Sequence, residues 1–305
     1  MGALTGRNLL SLADLSRSEL ADLLRLAGDL KAGKLKPRTD KTLGLVFSKA
    51  STRTRVSFST AMFQMGGQVL DLNANISQVG RGEPVQDTAR VLSRYLDAIA
   101  VRTFAQADLE TYARYASVPV INALTDLYHP CQVLADLQTL QENFGQLQGL
   151  TLCYCGDGNN MAHSLLLGCA LTGVNIRIAA PEGFQPLPEV VAQAQALSQG
   201  SEITLTTDPQ AAASGAHALY TDVWASMGQE EEAGDRLPRF TPYQINDSLM
   251  ALADPAAIVL HCLPAHREEE VTEALLEGPQ SRVWDQAENR LHAQKALLVS
   301  LLGLA

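Results

Sequence analysis

The sequence predicts an α/β protein of two domains, each a parallel β-sheet flanked by helices. Two observations support this fold class. Short apolar runs of strand length alternate with amphipathic stretches of helical length along the whole chain. The length of 305 residues also suits two domains of roughly 150 residues each.

The predicted strands and helices follow one another in regular order. The strands are Leu43–Phe47, Val69–Leu72, Ala98–Val101, Val118–Ala123, Leu150–Cys155, Asn175–Ala180, Ile203–Thr206, Ala218–Thr221 and Ile258–Cys262. Ser16 and Glu19 form a capping box, which predicts that a first helix begins there. Further helices are predicted around Arg55–Met65, Val133–Asn143, His163–Leu171 and Val190–Leu197.

The boundary between the two domains is expected just after Asn143. Gly145 and Gly149 interrupt the chain there, directly after a predicted helix. The interpretation is therefore a first domain over residues 1–143 and a second domain that begins at residue 144.

Composition excludes several classes of protein. Lys and Arg number 23 against 33 Asp and Glu, a formal net charge of −10, so a general nucleic-acid surface is not expected. The five cysteines are an odd number without a CxxC pair, which predicts a reducing, cytoplasmic compartment rather than a disulfide framework. No signal peptide, membrane span or metal-ligand spacing such as HExxH is recognisable, so no membrane, metal or cofactor is predicted.

Polar clusters follow the predicted strands at their carboxyl ends, where open parallel sheets bind ligands. They are Ser51–Arg55, Arg102, His129–Gln132, Gly156–Asn160, Asp222–Gly228 and His261–Pro264. Any one of them could be a turn, but their joint placement predicts a cleft.

Ser51–Arg55 is the most informative cluster because it opens a predicted helix. A helix N-terminus offers free N–H groups and a partial positive charge, which suits phosphate. Thr52 and Thr54 add hydroxyl donors, and Arg53 can bind two oxygens at once. A simple cap needs one hydroxyl, so phosphate binding is favoured over a capping role.

The other clusters leave alternatives open. Arg102 is either a cation of the cleft or half of an ion pair, and His129 either faces the cleft with Gln132 or is structural. Asp222 either caps a turn or attracts a cation, and Cys262 by default is a small buried apolar residue.

The sequence leaves two alternatives from other functional classes. Gly156 and Gly158 match two glycines of a dinucleotide fingerprint, but Met161 occupies the position of the third glycine. This substitution argues against the first alternative, a nicotinamide-dependent dehydrogenase. A non-catalytic protein that binds a phosphorylated metabolite is the other alternative.

Together the motifs resemble the carbamoyltransferase family over nearly the whole chain. They are Ser51-Thr52-Arg53-Thr54-Arg55, His129-Pro130-x-Gln132, Asp222-x-x-x-Ser226-Met227-Gly228 and His261-Cys262-Leu263-Pro264. Gly80–Glu83, Asp87–Arg90 and Glu288–Arg290 add to the likeness. The first two motifs are shared with the aspartate branch, and the last two resemble the ornithine branch.

The resemblance implies transfer of the carbamoyl group of carbamoyl phosphate to the δ-amino group of L-ornithine, giving L-citrulline and phosphate, within arginine biosynthesis. The implied carbamoyl phosphate residues are Ser51, Thr52, Arg53, Thr54, Gln78, Arg102, His129, Gln132, Cys262, Leu263 and Arg290. The implied ornithine residues are Asn160, Asp222, Ser226 and Met227. Arg53, Thr54, Arg102, His129 and Cys262 are the implied catalytic residues.

The resemblance also implies how the chain is organised. A carbamoyl phosphate domain over 1–143, joined by a C-terminal helix at 285–305, would accompany an ornithine domain over 144–284. A homotrimer, or a multiple of trimers, is expected, with Gln78 reaching the site of a neighbouring subunit. The Leu263–Pro264 peptide bond is expected to be cis. Another acceptor, such as putrescine or an acylated ornithine, is the nearest alternative.

Overall fold

The structure is a computed structural model that describes residues 4–73, 82–225 and 233–304. The chain divides into two compact units. Unit 1 comprises Met1–Gln138 and Asn289–Ala305, and unit 2 comprises Thr139–Glu288. Each unit contains one parallel β-sheet, so the predicted fold class is confirmed.

Unit 1 holds a four-stranded sheet in its described part. Its strands are β1 (Thr42–Phe47), β2 (Gln68–Asn73), β3 (Ala98–Arg102) and β4 (Val120–Leu124), in the order β2-β1-β3-β4. Its helices are α1 (Arg17–Lys31), α2 (Thr52–Met65), α3 (Val85–Leu92) and α4 (Gln106–Tyr115). α5 (Pro130–Phe144) and α12 (Val283–Leu301) each have residues in both units.

Unit 2 holds a five-stranded sheet in its described part. Its strands are β5 (Thr151–Cys155), β6 (Asn175–Ala179), β7 (Ile203–Thr206), β8 (Ala218–Thr221) and β9 (Ile258–His261), in the order β7-β6-β5-β8-β9. Its helices are α6 (Asn160–Thr172), α7 (Pro188–Leu197), α8 (Pro209–Ala213), α9 (Ala233–Phe240), α10 (Asp247–Met250) and α11 (Glu273–Leu276).

The strand orders place a topological switch point in each sheet. In unit 1 the chain leaves β1 toward β2 on one side, and β3 lies on the other side. In unit 2 the chain leaves β5 toward β6, and β8 lies on the opposite side. Such points open a crevice at the carboxyl ends of the strands, where doubly wound sheets bind ligands.

Local sequence signals explain where the elements lie. The nine predicted strands are confirmed, with ends within two residues of those observed. Ser16 caps α1, and the Glu19 carboxylate accepts a hydrogen bond from the Ser16 N–H at 2.8 Å, as the capping box predicts. Cys153 and Cys155 lie on one face of β5 in the core, with their sulfur atoms 3.5 Å apart.

No described helix combines the length and apolar character that a bilayer crossing requires.

Candidate functional site

The first turn of α2 forms an N-terminus open to an anion. Ser51 is the N-cap, and its hydroxyl accepts the Thr54 N–H at 3.3 Å. Thr52 and Arg53 are exposed, whereas Thr54 is buried. The first turn contains no acidic residue. The segment therefore presents N–H groups, a hydroxyl and a guanidinium where an anion would be stabilised.

Arg102 is a buried cation at the end of β3, with 4% of its surface exposed. Its buried Nε has no hydrogen-bond partner, and no ion pair to it occurs, in the part of the chain that the structure describes. Burial, followed by the charges of Arg290 and Arg53, lowers the pKa of Arg102 to about 10. The ion-pair alternative is thus unsupported, and an anion bound here would relieve the cost of this charge.

Arg290 on α12 joins the same cluster through side-chain hydrogen bonds. Its Nη1 donates to Gln132 Oε1 at 2.6 Å, and its Nη2 donates to Thr54 Oγ1 at 3.1 Å. Its Nε donates to Gln294 Oε1 at 3.2 Å. Because Thr54 Oγ1 accepts from Arg290, its hydroxyl hydrogen can donate to a ligand oxygen.

His129 lies directly before α5 and is buried. Burial, followed by the positive charges of Arg290, Arg102 and Arg53, lowers the pKa of His129 well below its usual value. The imidazole is therefore neutral near pH 7. A neutral imidazole still carries one N–H and can donate a hydrogen bond to a carbonyl oxygen.

The two arginines of the α2 segment have different environments. Arg55 forms an ion pair with Asp71 at 3.1 Å and stacks over the Phe47 ring at 5.3 Å. Arg53 is exposed, yet its charge acts on both Arg102 and His129. Arg55 therefore has a structural role, and Arg53 belongs to the cationic cluster.

Asp222 is the central carboxylate at the strand ends of unit 2. It follows β8 and is buried. Its Oδ1 accepts from Cys262 Sγ at 2.9 Å and from the Val223 N–H at 2.8 Å, while its Oδ2 accepts from Asn159 Nδ2 at 3.1 Å. A carboxylate has about four acceptor positions, so these donors leave room for one more N–H.

The turn after β9 holds Cys262 in place. The Leu263 N–H donates to His261 Nδ1 at 2.8 Å, and Leu263 adopts a positive φ of 58°. His261 Nε2 lies 3.0 Å from Glu270 Oε1, and the His261 N–H donates to Gln286 Oε1 at 2.9 Å. The Leu263–Pro264 peptide bond is cis, which confirms that expectation.

The two asparagines at the start of α6 have separate environments. Asn159 is the N-cap, accepts the N–H groups of Met161 and Ala162, and donates to Asp222. Asn160 is the first helical residue and is half-buried. The sequence analysis did not predict the hydrogen bond between Asn159 and Asp222. The position of Asn159 directly before a helix does mark this residue as a cap.

Three of the expected site residues lie outside the described residues. They are Gln78, Ser226 and Met227.

Comparisons with known proteins identify the family of the chain. A family model described as "Aspartate/ornithine carbamoyltransferase, carbamoyl-P binding domain" matches residues 7–142. A second, described as "Aspartate/ornithine carbamoyltransferase, Asp/Orn binding domain", matches residues 148–301. The chain belongs to the aspartate/ornithine carbamoyltransferase family.

Individual relatives match over almost their whole length. The ornithine carbamoyltransferase of Thermosynechococcus vestitus is 71% identical over 303 residues, covering 99% of this chain and 98% of that protein. The Gloeobacter violaceus ornithine carbamoyltransferase structure has a TM-score of 0.90 at 57% identity, covering 98% of this chain and 99% of that one. The Pyrococcus furiosus structure has a TM-score of 0.95 at 48% identity, covering 98% of each chain.

The packing of the Gly156–Gly158 loop explains its second glycine without the nucleotide site of a dehydrogenase. A side chain at Gly158 would place its Cβ 2.2 Å from the Pro186 nitrogen, and the Gly158 N–H donates to Phe184 O at 2.7 Å. Gly158 therefore provides close packing against the 184–186 segment. This accounts for the second glycine of the apparent dinucleotide fingerprint without a nucleotide.

An ion pair beside this loop was also missed by the sequence analysis. Arg236 on α9 donates to Asp157 Oδ2 at 2.7 Å and to Trp224 O at 3.0 Å. Burial raises the pKa of Asp157, and this outweighs the lowering by Arg236. The only signal in the sequence was the position of Asp157 two residues after the end of a predicted strand, because its partner is 79 residues away.

Proposed function

We propose that this protein is an ornithine carbamoyltransferase, which makes L-citrulline and phosphate from carbamoyl phosphate and L-ornithine. The observation that carries the proposal is the opposite charge of the strand ends in the two units. Unit 1 gathers Arg53, Arg102 and Arg290, whereas unit 2 centres on Asp222. Full-length relatives named ornithine carbamoyltransferase support it.

Unit 1 binds carbamoyl phosphate in this proposal. The phosphate lies against the N-terminus of α2, with Ser51, Thr52 and Arg53, while Gln132 and Arg290 complete the anion site. Thr54, Arg102 and His129 donate to the carbonyl oxygen, on which negative charge develops. Removing one such donor typically costs ~10²–10³ in rate.

Unit 2 binds the acceptor. Asp222 accepts a hydrogen bond from the α-ammonium group of ornithine at its remaining acceptor position. Asn160, Ser226 and Met227 hold the rest of the amino acid, and Cys262 with the Leu263 carbonyl orients the δ-amino group.

The reaction requires no covalent enzyme intermediate. The δ-nitrogen attacks the carbamoyl carbon and forms the new C–N bond. The bond between that carbon and the phosphate oxygen breaks, and its electron pair leaves with the phosphate. The proton lost by the amine goes to the departing phosphate.

The domain boundaries are part of the proposal. Residues 1–143 with 285–305 form the carbamoyl phosphate domain, and residues 144–284 form the ornithine domain. The matched ranges of the two family models, 7–142 and 148–301, support a division near residue 145.

We also propose a homotrimer, or a multiple of trimers, with Gln78 completing the site of a neighbouring subunit. Val56 and Phe63 are large exposed apolar residues seven positions apart on α2, and hence on one helical face. Leu70 on the edge strand β2 is exposed as well. Where exposed apolar residues form one contiguous patch, they mark an association surface, and we base the proposal on these residues. A cytoplasmic location is proposed on the cysteine content.

A panel of acceptors tests the function. Purified protein is incubated with carbamoyl phosphate and either L-ornithine, putrescine, an acylated ornithine or L-aspartate. Phosphate release above the rate without enzyme is measured, and citrulline is measured by colour reaction. The proposal predicts release with L-ornithine and an equal amount of citrulline. Faster phosphate release with any other acceptor would contradict the proposal. The absence of phosphate release with all four acceptors would contradict it as well.

A further inference from the structure

A second cluster of side chains in unit 2 has the composition of a metal site. His266, Glu269 and Glu270 each offer one ligand atom, and these atoms lie within 4.8 Å of one another. No other group of three histidine, cysteine or acidic side chains of this kind occurs in residues 4–73, 82–225 and 233–304. The sequence analysis did not identify it, because the HxxEE spacing lies on a loop rather than a helix.

Glu270 makes this cluster more than a set of surface charges. The residue has 0% of its surface exposed. Its Oε1 accepts the His266 N–H at 2.6 Å and lies 3.0 Å from His261 Nε2. Its Oε2 is buried and has no hydrogen-bond partner among the described residues. A buried carboxylate oxygen without a partner is costly, and a bound ion is one of the few ways to satisfy it.

The other two side chains supply an open entrance. The side chains of His266 and Glu269 are 54% and 51% exposed, and His266 Nδ1 lies 3.5 Å from Glu269 Oε2. That separation is long for a hydrogen bond. It fits two ligands of one tetrahedral zinc ion, which lie about 3.3–3.6 Å apart when each is about 2.0–2.2 Å from the metal.

Arg267, which lies in sequence between His266 and Glu269, forms its ion pairs with carboxylates outside the cluster. Arg267 pairs with Glu273 at 3.1 Å and with Glu277 at 2.6 Å. Glu269 and Glu270 therefore form a locally acidic pair whose sequence neighbour Arg267 serves other carboxylates.

We propose that His266, Glu269 and Glu270 bind a divalent transition-metal cation of the Zn²⁺ class, with water at the fourth position. One imidazole nitrogen and two carboxylate oxygens are ligands that zinc accepts, and three protein ligands with one open position is a common arrangement. Coordination through Glu270 Oε2 leaves the two contacts of Oε1 intact. This site does not depend on the proposed carbamoyl transfer.

The test is calorimetric titration of Zn²⁺ into untagged, full-length protein that has been stripped with EDTA. Wild-type protein is expected to bind one zinc at this site. His266→Ala and Glu269→Gln are each expected to weaken that binding at least about tenfold, since losing even an outer-shell partner typically costs 10–100-fold. Both side chains are exposed, so these variants fold even where a change at Glu270 would not.

Two controls separate this site from other sources of zinc binding. Glu277→Gln removes a carboxylate of similar exposure, 50%, outside the cluster and is expected to bind like wild type. Cys262→Ala removes a thiol that could itself bind zinc, and it is expected to retain the site. Co²⁺ as a second probe is expected to show d–d bands in Cys262→Ala protein, without a sulfur-to-cobalt charge-transfer band.

The outcomes decide the proposal in either direction. Selective loss in His266→Ala and Glu269→Gln, with retention in both controls, supports it. Binding that is unchanged in those two variants, lost only in Cys262→Ala, or absent from wild type would overturn it.

Discussion

Units 1 and 2 share an architecture but fill their strand ends with opposite charge. In unit 1 the switch point between β1 and β3 is flanked by Ser51–Arg55 and Arg102. In unit 2 the switch point between β5 and β8 is flanked by Asn159 and Asp222. We infer that the fold fixes where a ligand binds and that a few residues after each strand determine which ligand it is.

The charged groups at the two switch points also differ in how many hydrogen-bond or ion-pair partners the protein itself provides. Arg102 has no acidic partner in the described residues, so its charge is left for a ligand. Asp222 already accepts three hydrogen bonds from Cys262, Val223 and Asn159. We infer that unit 1 gains binding energy when an anion neutralises the charge of Arg102. Unit 2, in contrast, selects its ligand through the one acceptor position that remains on Asp222.

The largest expected effect tests the charge of unit 2. Asp222→Asn removes the carboxylate while keeping its shape, and truncating a buried charge pair costs about 2–5 kcal/mol. We expect the KM for ornithine to rise about 30-fold or more, because about 1.4 kcal/mol is tenfold. The affinity for carbamoyl phosphate is expected to stay unchanged.

Steady-state kinetics with each substrate varied in turn measure this split. Asp254→Asn, whose carboxylate accepts the Ala256 N–H at 2.8 Å, is the control and should behave like wild type. An equal loss for both substrates in Asp222→Asn would contradict the division between the units.

The next effect tests whether packing rather than a nucleotide explains the glycine-rich loop of unit 2. A Cβ at Gly158 would lie 2.2 Å from the Pro186 nitrogen, so Gly158→Ala is expected to destabilise the protein by about 1–3 kcal/mol. In unit 1, Gly28 lies inside α1 with nothing within 4 Å of its Cβ position. Gly28→Ala should stabilise by about 1 kcal/mol. Urea unfolding of both variants measures the difference, and equal shifts would refute the packing argument.

The cationic cluster of unit 1 predicts a pH effect on stability through His129. The folded protein holds the pKa of His129 well below 6.5, the value for the unfolded chain. Below pH 6.5 the unfolded state therefore binds a proton that the folded state does not, and stability falls as pH falls. The slope from this group is about 1.4 kcal/mol per pH unit.

The difference between wild type and His129→Gln isolates that contribution. Urea unfolding between pH 7 and pH 5 should show a steeper loss in wild type than in the variant. Parallel curves would mean that the histidine titrates alike in both states.

The smallest expected effect separates the two asparagines of unit 2. Asn159→Ala removes the cap of α6 and should cost about 0.5–2 kcal/mol of stability. Asn160→Ala should leave the melting temperature unchanged and raise the KM for ornithine. Thermal unfolding and kinetics on both variants check this, and the reverse pattern would reassign their roles.

The sequence predicted the fold and much of the clusters because those signals are local. Apolar runs located every described strand. The crowding of Ser51–Arg55 located the N-terminus of α2, which needed no tertiary information, and its anion-binding role stays a prediction. The state of Arg102 stayed open because an ion pair and a free cation look alike in sequence. Only the folded surroundings show that no described acid pairs with it.

Long-range contacts were beyond the sequence for a physical reason. Asn159 meets Asp222, 63 residues away, only because β5 and β8 are neighbours in the sheet. Strand order arises from the topology of the whole domain rather than from any local pattern. The Glu270–His261 contact depends likewise on how the loop after Leu263 folds back.

The most direct test of the central claim is calorimetric titration of carbamoyl phosphate into Arg102→Met, with Arg55→Met as the matched control. Arg55 is already neutralised by Asp71. We predict that Arg102→Met weakens binding about 30-fold or more, equivalent to about 2 kcal/mol, and that the ligand-free variant unfolds at no lower temperature than wild type. Arg55→Met should bind like wild type. Unchanged affinity in Arg102→Met, or an equal loss in both variants, would contradict the claim that a buried guanidinium with no acidic partner among the described residues creates the anion site.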